Sequence, residues 1–276
     1  MVIDLHNHSY YSDGVLSPTE VVRLANKQNC DMVALTDHDT IDGLAEASFE
    51  ANKLNLRFVF GTEISAIWNN MTIHILGLKI NPNNKILQTG LKKHQQLREV
   101  RGEKIALSLE GIGIIGAMEK TKALTKTGII TRTHFAQMLI QEGICKNIKS
   151  VFKNFLTGNN PGSVNVQWAQ FDEVIGWIRS AGGMAVLAHP FCYRITHTQI
   201  KDMMCDLAIN GCTGIEVVTA MSSLDEIILV SQWSSELGLL ESSGSDYHGW
   251  LNQRVQMGCL QDLPNYKQAI WKDWTW

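Results

Sequence analysis

The chain has 276 residues, 45% of them hydrophobic and 18% charged, with a formal net charge of −3. This composition suits one large globular α/β domain, or a domain with an insertion, and excludes a disordered chain. No apolar run approaches the roughly 18 residues of a membrane span, and Asp4 and His6 interrupt the start where a leader would be apolar, so the expected compartment is the cytoplasm.

Elements follow in chain order. Val2–His6 reads as a first buried strand, and its last residue and His8 are two apart, on one side of an extended chain. Asp13-Gly14 then closes a turn. Ser17-Pro18-Thr19-Glu20 is a helix start, with a capping serine, proline at the first helical position and Glu20 completing a capping box. Further strands are expected at Met32–Thr36, Arg57–Ile64, Thr72–Ile80, Met184–Ala188, Gly214–Val218 and Leu239–Ser243. Helices are expected at Gly43–Asn55, Gln170–Ala181 and Ser222–Leu237. Strands alternating with helices predict a mainly parallel sheet, and seven strands of this kind can close into a barrel.

The hundred or so residues between the fourth and fifth strands exceed any ordinary connection. Residues 85–162 therefore form an insertion, with helices over Lys85–Leu109, Arg132–Glu142 and Ile148–Leu156, leaving 1–84 and 163–276 as the barrel. Lys85 to Asn160 holds thirteen basic and five acidic residues; the remainder holds eleven basic and twenty-two acidic. A basic segment on an acidic body fits either an anionic partner, such as a nucleotide or nucleic acid, or a lysine-rich solvated surface. Gly111–Gly116 spells G-x-G-x-x-G, but it follows a helical pattern inside the insertion, so it reads as a helix–helix turn rather than a dinucleotide loop. The six cysteines form no C-x-x-C and read as reduced, mostly buried thiols, Cys192 among them.

The polar residues of the strands gather near their ends: His6 and His8, then Asp37-His38-Asp39, Glu63, His74, His189, Glu216, and Asp246 with His248. In a parallel barrel the C-terminal strand ends share the face on which active sites are built. Six of the nine histidines lie there, and so many imidazoles and carboxylates beside apolar strands need a partner. Mixed His/Asp/Glu ligation suits zinc, manganese or iron. The candidate ligands are His6, His8, Asp13, His38, Glu63, His74, His189, Asp246 and His248.

The motifs His6-x-His8 with Asp13, TDHD at 36–39, AHP at 188–190 and SDYH at 245–248 resemble the PHP (polymerase and histidinol phosphatase) superfamily over nearly the whole chain. Ser12-Asp13-Gly14, Ala34–Thr40, His74–Leu78 and Arg132–Ala136 are similar to the stand-alone nucleoside 3',5'-bisphosphate phosphatases, members of which also act as 5'-to-3' exoribonucleases on short RNA. The resemblance implies a distorted (β/α)7 barrel with a mainly helical insertion and three divalent metal ions (Mn, Zn or Fe). It implies that His6, His8, Glu63 and Asp246 hold one metal, that Glu63 bridges to a second held with His74 and His189, and that Asp13, His38 and His248 hold the third. The departure lies in HPFCYRIT, where Phe191 and Cys192 follow the fifth strand.

Three divalent ions against three ligand carboxylates leave such a cluster at about +3, which attracts a phosphate and supports in-line attack by a metal-bound hydroxide. Asp37 or Asp39 is expected to orient a ligand histidine, with an Asx-turn open for Asp39. A second phosphate needs its own cations, for which Arg132, His134 and Arg194 are the candidates; the insertion then caps the barrel mouth. The partner is a nucleotide or short RNA, with no duplex DNA or membrane expected. The alternatives are a histidinol phosphate phosphatase, a non-catalytic metal-binding module, and a nucleic-acid-binding protein with structural metals. The tryptophans of IWKDWTW could stack bases or close the barrel bottom or a subunit contact.

Overall fold

A computed structural model of the protein describes residues 1–249 and 255–275. In chain order the elements are β1 (Ile3–Asp4), α1 (Pro18–Lys27), β2 (Met32–Leu35), α2 (Leu44–Leu54), β3 (Arg57–Trp68), β4 (Met71–Leu78) and α3 (Lys85–Glu110). Then come α4 (Ala117–Lys122), α5 (Arg132–Gln141), α6 (Ile148–Val151) running into a wide turn over Phe152–Leu156, and α7 (Phe171–Ser180). The chain continues with β5 (Met184–Leu187), α8 (His197–Ile209), β6 (Gly214–Thr219), α9 (Leu224–Leu237) and β7 (Leu240–Gly244).

The seven strands lie side by side in chain order. The Leu5 amide donates to Ser243 O at 3.0 Å and the Asp246 amide to His6 O at 2.9 Å, which draws the end of β7 onto the end of β1 and nearly closes a barrel. β1–β2–β3 and β5–β6–β7 are parallel, whereas β4 is antiparallel to both its neighbours. Asn69 and Asn70, both left-handed, make the two-residue hairpin that reverses the chain. β3 overshoots the barrel to Trp68, so Glu63 sits in mid-strand rather than at a strand end. The register pairs Glu63 with Leu76 and Ser65 with His74. Because side chains alternate along a strand, Glu63, Ser65, Thr72 and His74 share one face. Reversal of β4 is what brings its N-terminal half, and His74, to the mouth.

Capping chemistry sets the helix starts. Ser17 accepts from the Glu20 amide and Glu20 returns the bond; Ser223 and Glu226 do the same for α9. Thr196 and Gln199 open α8, a helix absent from the sequence reading. Gly111 ends α3, and Gly116, left-handed at φ 71°, opens α4, so the glycine-rich hexapeptide is a helix–helix turn.

One apolar core lies between barrel and outer helices, and a second, built on Ile105, Leu109, Phe135, Met138, Leu139 and Val151, lies wholly within the insertion. α3 serves both: Leu87 and Leu91 pack on the barrel, Ile105 and Leu109 in the insertion. All six cysteines are free thiols; Cys192 is exposed, not in the core. Trp271 is buried in the barrel core and Trp274 packs against it, at the end away from the mouth; Trp276 lies outside the described residues. No helix among the described residues is long and apolar enough to cross a membrane.

Candidate metal centre

Four loops and two strands deliver the ionisable groups to one point. His6 and His8 leave β1 with both imidazoles fully buried. His6 Nε2 lies 3.1 Å from His8 Nε2, 3.4 Å from Glu63 Oε2 and 3.4 Å from Asp246 Oδ1; His8 Nε2 lies 3.3 and 3.2 Å from the same two oxygens. With bonds of about 2.0–2.1 Å, the ligand atoms of a tetrahedral metal stand about 3.3–3.4 Å apart, so this quartet has the spacing of a coordination shell. A second group forms around the other edge of Glu63, whose Oε1 is 2.9 Å from both His74 Nδ1 and His189 Nε2, while His38 Nδ1 is 2.7 Å from Oε2. In the third, Asp13 Oδ1 lies 3.2 Å from His248 Nε2 and 3.8 Å from His38 Nε2, and His8 is within reach.

Asp13 Oδ1, His38 Nδ1, Glu63 Oε2 and His189 Nδ1 are buried without an aligned hydrogen bond. Lone pairs converging on one another in the protein interior are costly unless a cation takes them, so the residues fit divalent metal ions. The proton balance has the same origin. Burial, with His248 and His38 close by, holds His8 down at about 3, the neutral form that ligates. Burial also lowers His74, to about 4, against the pull of Glu63. Asp13 and Glu63 are held well below the carboxylate range despite burial, by His38 and His248 for the first and by His38, His74 and His6 for the second. His248 is raised, against burial, to about 10 by Asp13 and Asp246.

The supporting shell differs from the expectation. Asp37 accepts from the Ser9 amide at 2.8 Å and from the Ser9 and Ser12 hydroxyls at 2.6 Å each. Ser12 Oγ is in turn 3.3 Å from His8 Nδ1, so Asp37 reaches His8 through a serine. Asp39, left-handed at φ 52°, touches no metal-facing histidine. It accepts from the Ser65 amide, from His94 Nδ1 at 3.0 Å and from Arg98 Nε at 2.7 Å. Its role is to tie α3 to β3. The residue that orients His6 is Glu216, 3.0 Å from Nδ1 through Oε1 and accepting from the His189 amide at 2.7 Å through Oε2. Replacing Glu216 with glutamine weakens metal affinity by about 10–100-fold, measured as retained metal after dialysis against a graded chelator series.

Gly244 closes the same corner. A Cβ there would overlap His6 Cβ and stand 2.7 Å from Glu216 Oε1. Gly244→Ala therefore pushes His6 out of the quartet; the expected result is a folded protein, by circular dichroism, that no longer retains metal in elemental analysis.

Two cavities adjoin the cluster and share Asp13, His38, Thr133 and Phe152 in their walls. The first, of about 110 Å³, is lined by Arg98, Arg101 and Arg132 with Ser65, His74 and Trp168. Arg98 is paired with Asp39. Arg101 and Arg132 have no carboxylate partner among the described residues, and burial together with their cationic neighbours disfavours the charge of each. The second, of about 290 Å³, is lined by the cluster residues Asp13, His38, His189, Asp246 and His248 on one side and by Ile148, Phe152, Ala220 and Met221 on the other.

Of the candidate phosphate contacts, Arg132 stands at the first cavity; the other two do not. His134 is turned into the cap of α5, where its Nδ1 accepts from the Thr131 amide at 3.1 Å. Arg194 is exposed and lines neither cavity. Arg98 and Arg101 take their place. With His94 they lie at i, i+4 and i+7 along α3, one helix face, a spacing from which the sequence could have yielded them.

A centre of this kind, at the mouth of such a barrel, is that of a metal-dependent hydrolase. The PHP domain family matches residues 4–174, and the chain belongs to that family. It is 40% identical over 272 residues to the 3',5'-nucleoside bisphosphate phosphatase of Chromobacterium violaceum, covering 98% of this chain and 95% of that one. It is 36% identical to a 5'-3' exoribonuclease of Haemophilus influenzae (98% and 97% covered) and 33% identical to the 5'-3' exoribonuclease Rnm of Escherichia coli (99% and 94%). Among solved structures, an amidohydrolase of Chromobacterium violaceum with sulfate bound and no metal superimposes with a TM-score of 0.93 at 40% identity, over 99% of this chain and 95% of that one. The chain is accordingly a phosphoester hydrolase.

Proposed function

We propose that the protein hydrolyses the 3'-phosphoester of a nucleotide that also carries a 5'-phosphate: a nucleoside 3',5'-bisphosphate, or the first linkage of a short 5'-phosphorylated RNA. The observation that carries this reading is a second anion site beside the metal cluster, where Arg101 and Arg132 line the cavity and make no ion pair with a carboxylate among the described residues. Guanidinium forks suit a terminal phosphate. The names of the relatives and the sulfate bound in one of them agree with an anionic substrate.

Three divalent ions would fit the groups: one on His6, His8, Glu63 and Asp246, one on Glu63 and His74 with His38 beside them and His189 2.9 Å from Glu63 Oε1, and one on Asp13, His38 and His248 with His8 also near. Manganese, zinc and iron all suit these donors. When bound, such ions activate water and stabilise charge on the phosphoryl oxygens. The chain's own part is positional. Glu63 holds five imidazoles around one carboxylate, Glu216 fixes His6, Asp37 fixes the loop carrying Asp13, and Arg101 and Arg132 grip the 5'-phosphate so that the 3'-phosphate falls at the cluster. Residues 85–162 act as the cap that brings these arginines over the barrel mouth.

Histidinol phosphate fits poorly, because its ammonium group would face three arginines. A non-catalytic module would have lost ligands, and all nine are present. The test is hydrolysis of a nucleoside 3',5'-bisphosphate, a 5'-phosphorylated oligoribonucleotide and histidinol phosphate by metal-loaded protein, with and without chelator. The first two are cleaved, the third is not, and chelator abolishes both activities.

A further inference from the structure

The segment that follows β5, HPFCYRIT, has no part in the function proposed above beyond its first histidine. We infer that Tyr193 in this segment is a positioning residue for the second metal group: its hydroxyl replaces one backbone bond between β4 and β5 and so sets where His74 and His189 stand about Glu63. The inference rests on the three-ion reading of the cluster given above.

β4 and β5 are antiparallel, with Ile75 opposite Leu187, so His74 stands opposite Ala188. In an antiparallel ladder the two residues of a hydrogen-bonded pair exchange two bonds. Half of that exchange is present, since the Ala188 amide donates to His74 O at 3.1 Å. The return bond is not made. The His74 amide donates instead to the Tyr193 hydroxyl at 2.8 Å, and the hydroxyl donates to Ala188 O at 3.2 Å. The phenol oxygen thus bridges an amide and a carbonyl that would otherwise meet at about 2.9 Å. A hydroxyl suits the place because it accepts and donates at once; phenylalanine can do neither.

The local chain path returns Tyr193 to this rung. His189 is left-handed at φ 31°, and Pro190–Cys192 makes one tight turn, closed by the Cys192 amide on His189 O at 2.9 Å. The chain doubles back, and the Tyr193 ring comes to lie 5.6 Å from the His189 ring. The two ligands bracket the altered rung: His74 supplies its amide, and His189 is the residue after Ala188. His74 Nδ1 and His189 Nε2 are each 2.9 Å from Glu63 Oε1, with the two rings 5.3 Å apart. A change at the rung therefore moves both imidazoles relative to that oxygen. His6, His8, Asp13, Asp246 and His248 make no hydrogen bond to Tyr193 among the described residues, so the first and third groups do not depend on it.

Tyr193→Phe keeps the ring and removes the hydroxyl. Wild type and variant are loaded with Mn²⁺, and bound metal is measured by elemental analysis across a graded chelator series. Circular dichroism and melting of the metal-free forms are recorded alongside. The inference predicts a variant that folds and melts like wild type without metal, keeps two ions as tightly as wild type and holds one about 10–100-fold more weakly. Anomalous diffraction at the manganese edge, from crystals grown at an intermediate chelator concentration, then lacks the peak beside Glu63, His74 and His189. Hydrolysis of a nucleoside 3',5'-bisphosphate regains the wild-type kcat when Mn²⁺ is raised by the same factor, with KM unchanged. Three ions held as in wild type would overturn the inference. Loss of all three together, or of the metal-free fold, would overturn it as well, because Tyr193 would then support the barrel and not one metal group. Wild-type protein that binds fewer than three ions would remove the three-ion reading itself, and the inference with it.

Discussion

Glu63→Gln removes metal retention and lowers kcat on a nucleoside 3',5'-bisphosphate by about a thousandfold or more, while the barrel stays folded. One carboxylate here meets five imidazoles: His6, His8 and His38 through Oε2, and His74 and His189 through Oε1. Glutamine keeps the shape and one acceptor oxygen but loses the charge and turns an N–H₂ group toward imidazole nitrogens that must present lone pairs. Two of the three metal groups contain Glu63, so both fail together. Metal-centred stabilisation of transition-state charge is worth several kcal/mol, and each 1.36 kcal/mol is tenfold in rate. The check is metal content by elemental analysis beside steady-state kinetics, with circular dichroism to show that the fold persists.

Arg132→Ala has the second largest effect, and it is selective. Arg132 begins α5, and its guanidinium lines the first cavity beside Arg101, neither ion-paired to a carboxylate among the described residues. A phosphate held there is paired in a desolvated setting, and truncating one partner of a buried charge pair costs about 2–5 kcal/mol. kcat/KM for the 3',5'-bisphosphate is expected to fall by about a hundredfold, whereas hydrolysis of a nucleoside 3'-monophosphate, which offers no 5'-phosphate, falls little. Equal loss on the two substrates would mean that Arg132 supports the fold or the cluster and does not grip the 5'-phosphate.

Both predictions depend on residues of very different visibility in the sequence. The cluster was legible because burying histidine and carboxylate beside apolar strands is expensive, so His6-x-His8, TDHD, AHP and SDYH stood out against their surroundings. Glu63 and His74 are visible in the sequence as residues, but their places in the fold are not. Glu63 lies inside a strand that runs on to Trp68, and His74 reaches the mouth only because β4 is reversed. The signal for that reversal is Asn69-Asn70, whose two left-handed residues make a hairpin turn where the βα pattern alone predicts a crossover. Glu216 stands in the sequence among the polar residues near the strand ends, outside the candidate ligands, and nothing local tells that its carboxylate spans His6 and the His189 amide.

The anion site was the least legible part. Arg98 and Arg101 sit in a lysine-rich helix where most charges face solvent, and only the fold shows that α3 turns them inward against Asp39 and Trp168. His134 was drawn toward the substrate by its neighbour Arg132, but a residue three places after Thr131 is also in reach of the helix cap, and the cap took it. Local hydrogen bonding of that kind competes with any functional assignment made from composition alone.

The account comes down to which phosphate leaves. Phosphorus NMR on a nucleoside 3',5'-bisphosphate incubated with metal-loaded protein reports the product directly. The arginine cavity beside the cluster predicts nucleoside 5'-monophosphate and inorganic phosphate, with the 5'-phosphate retained; accumulation of nucleoside 3'-monophosphate would contradict it.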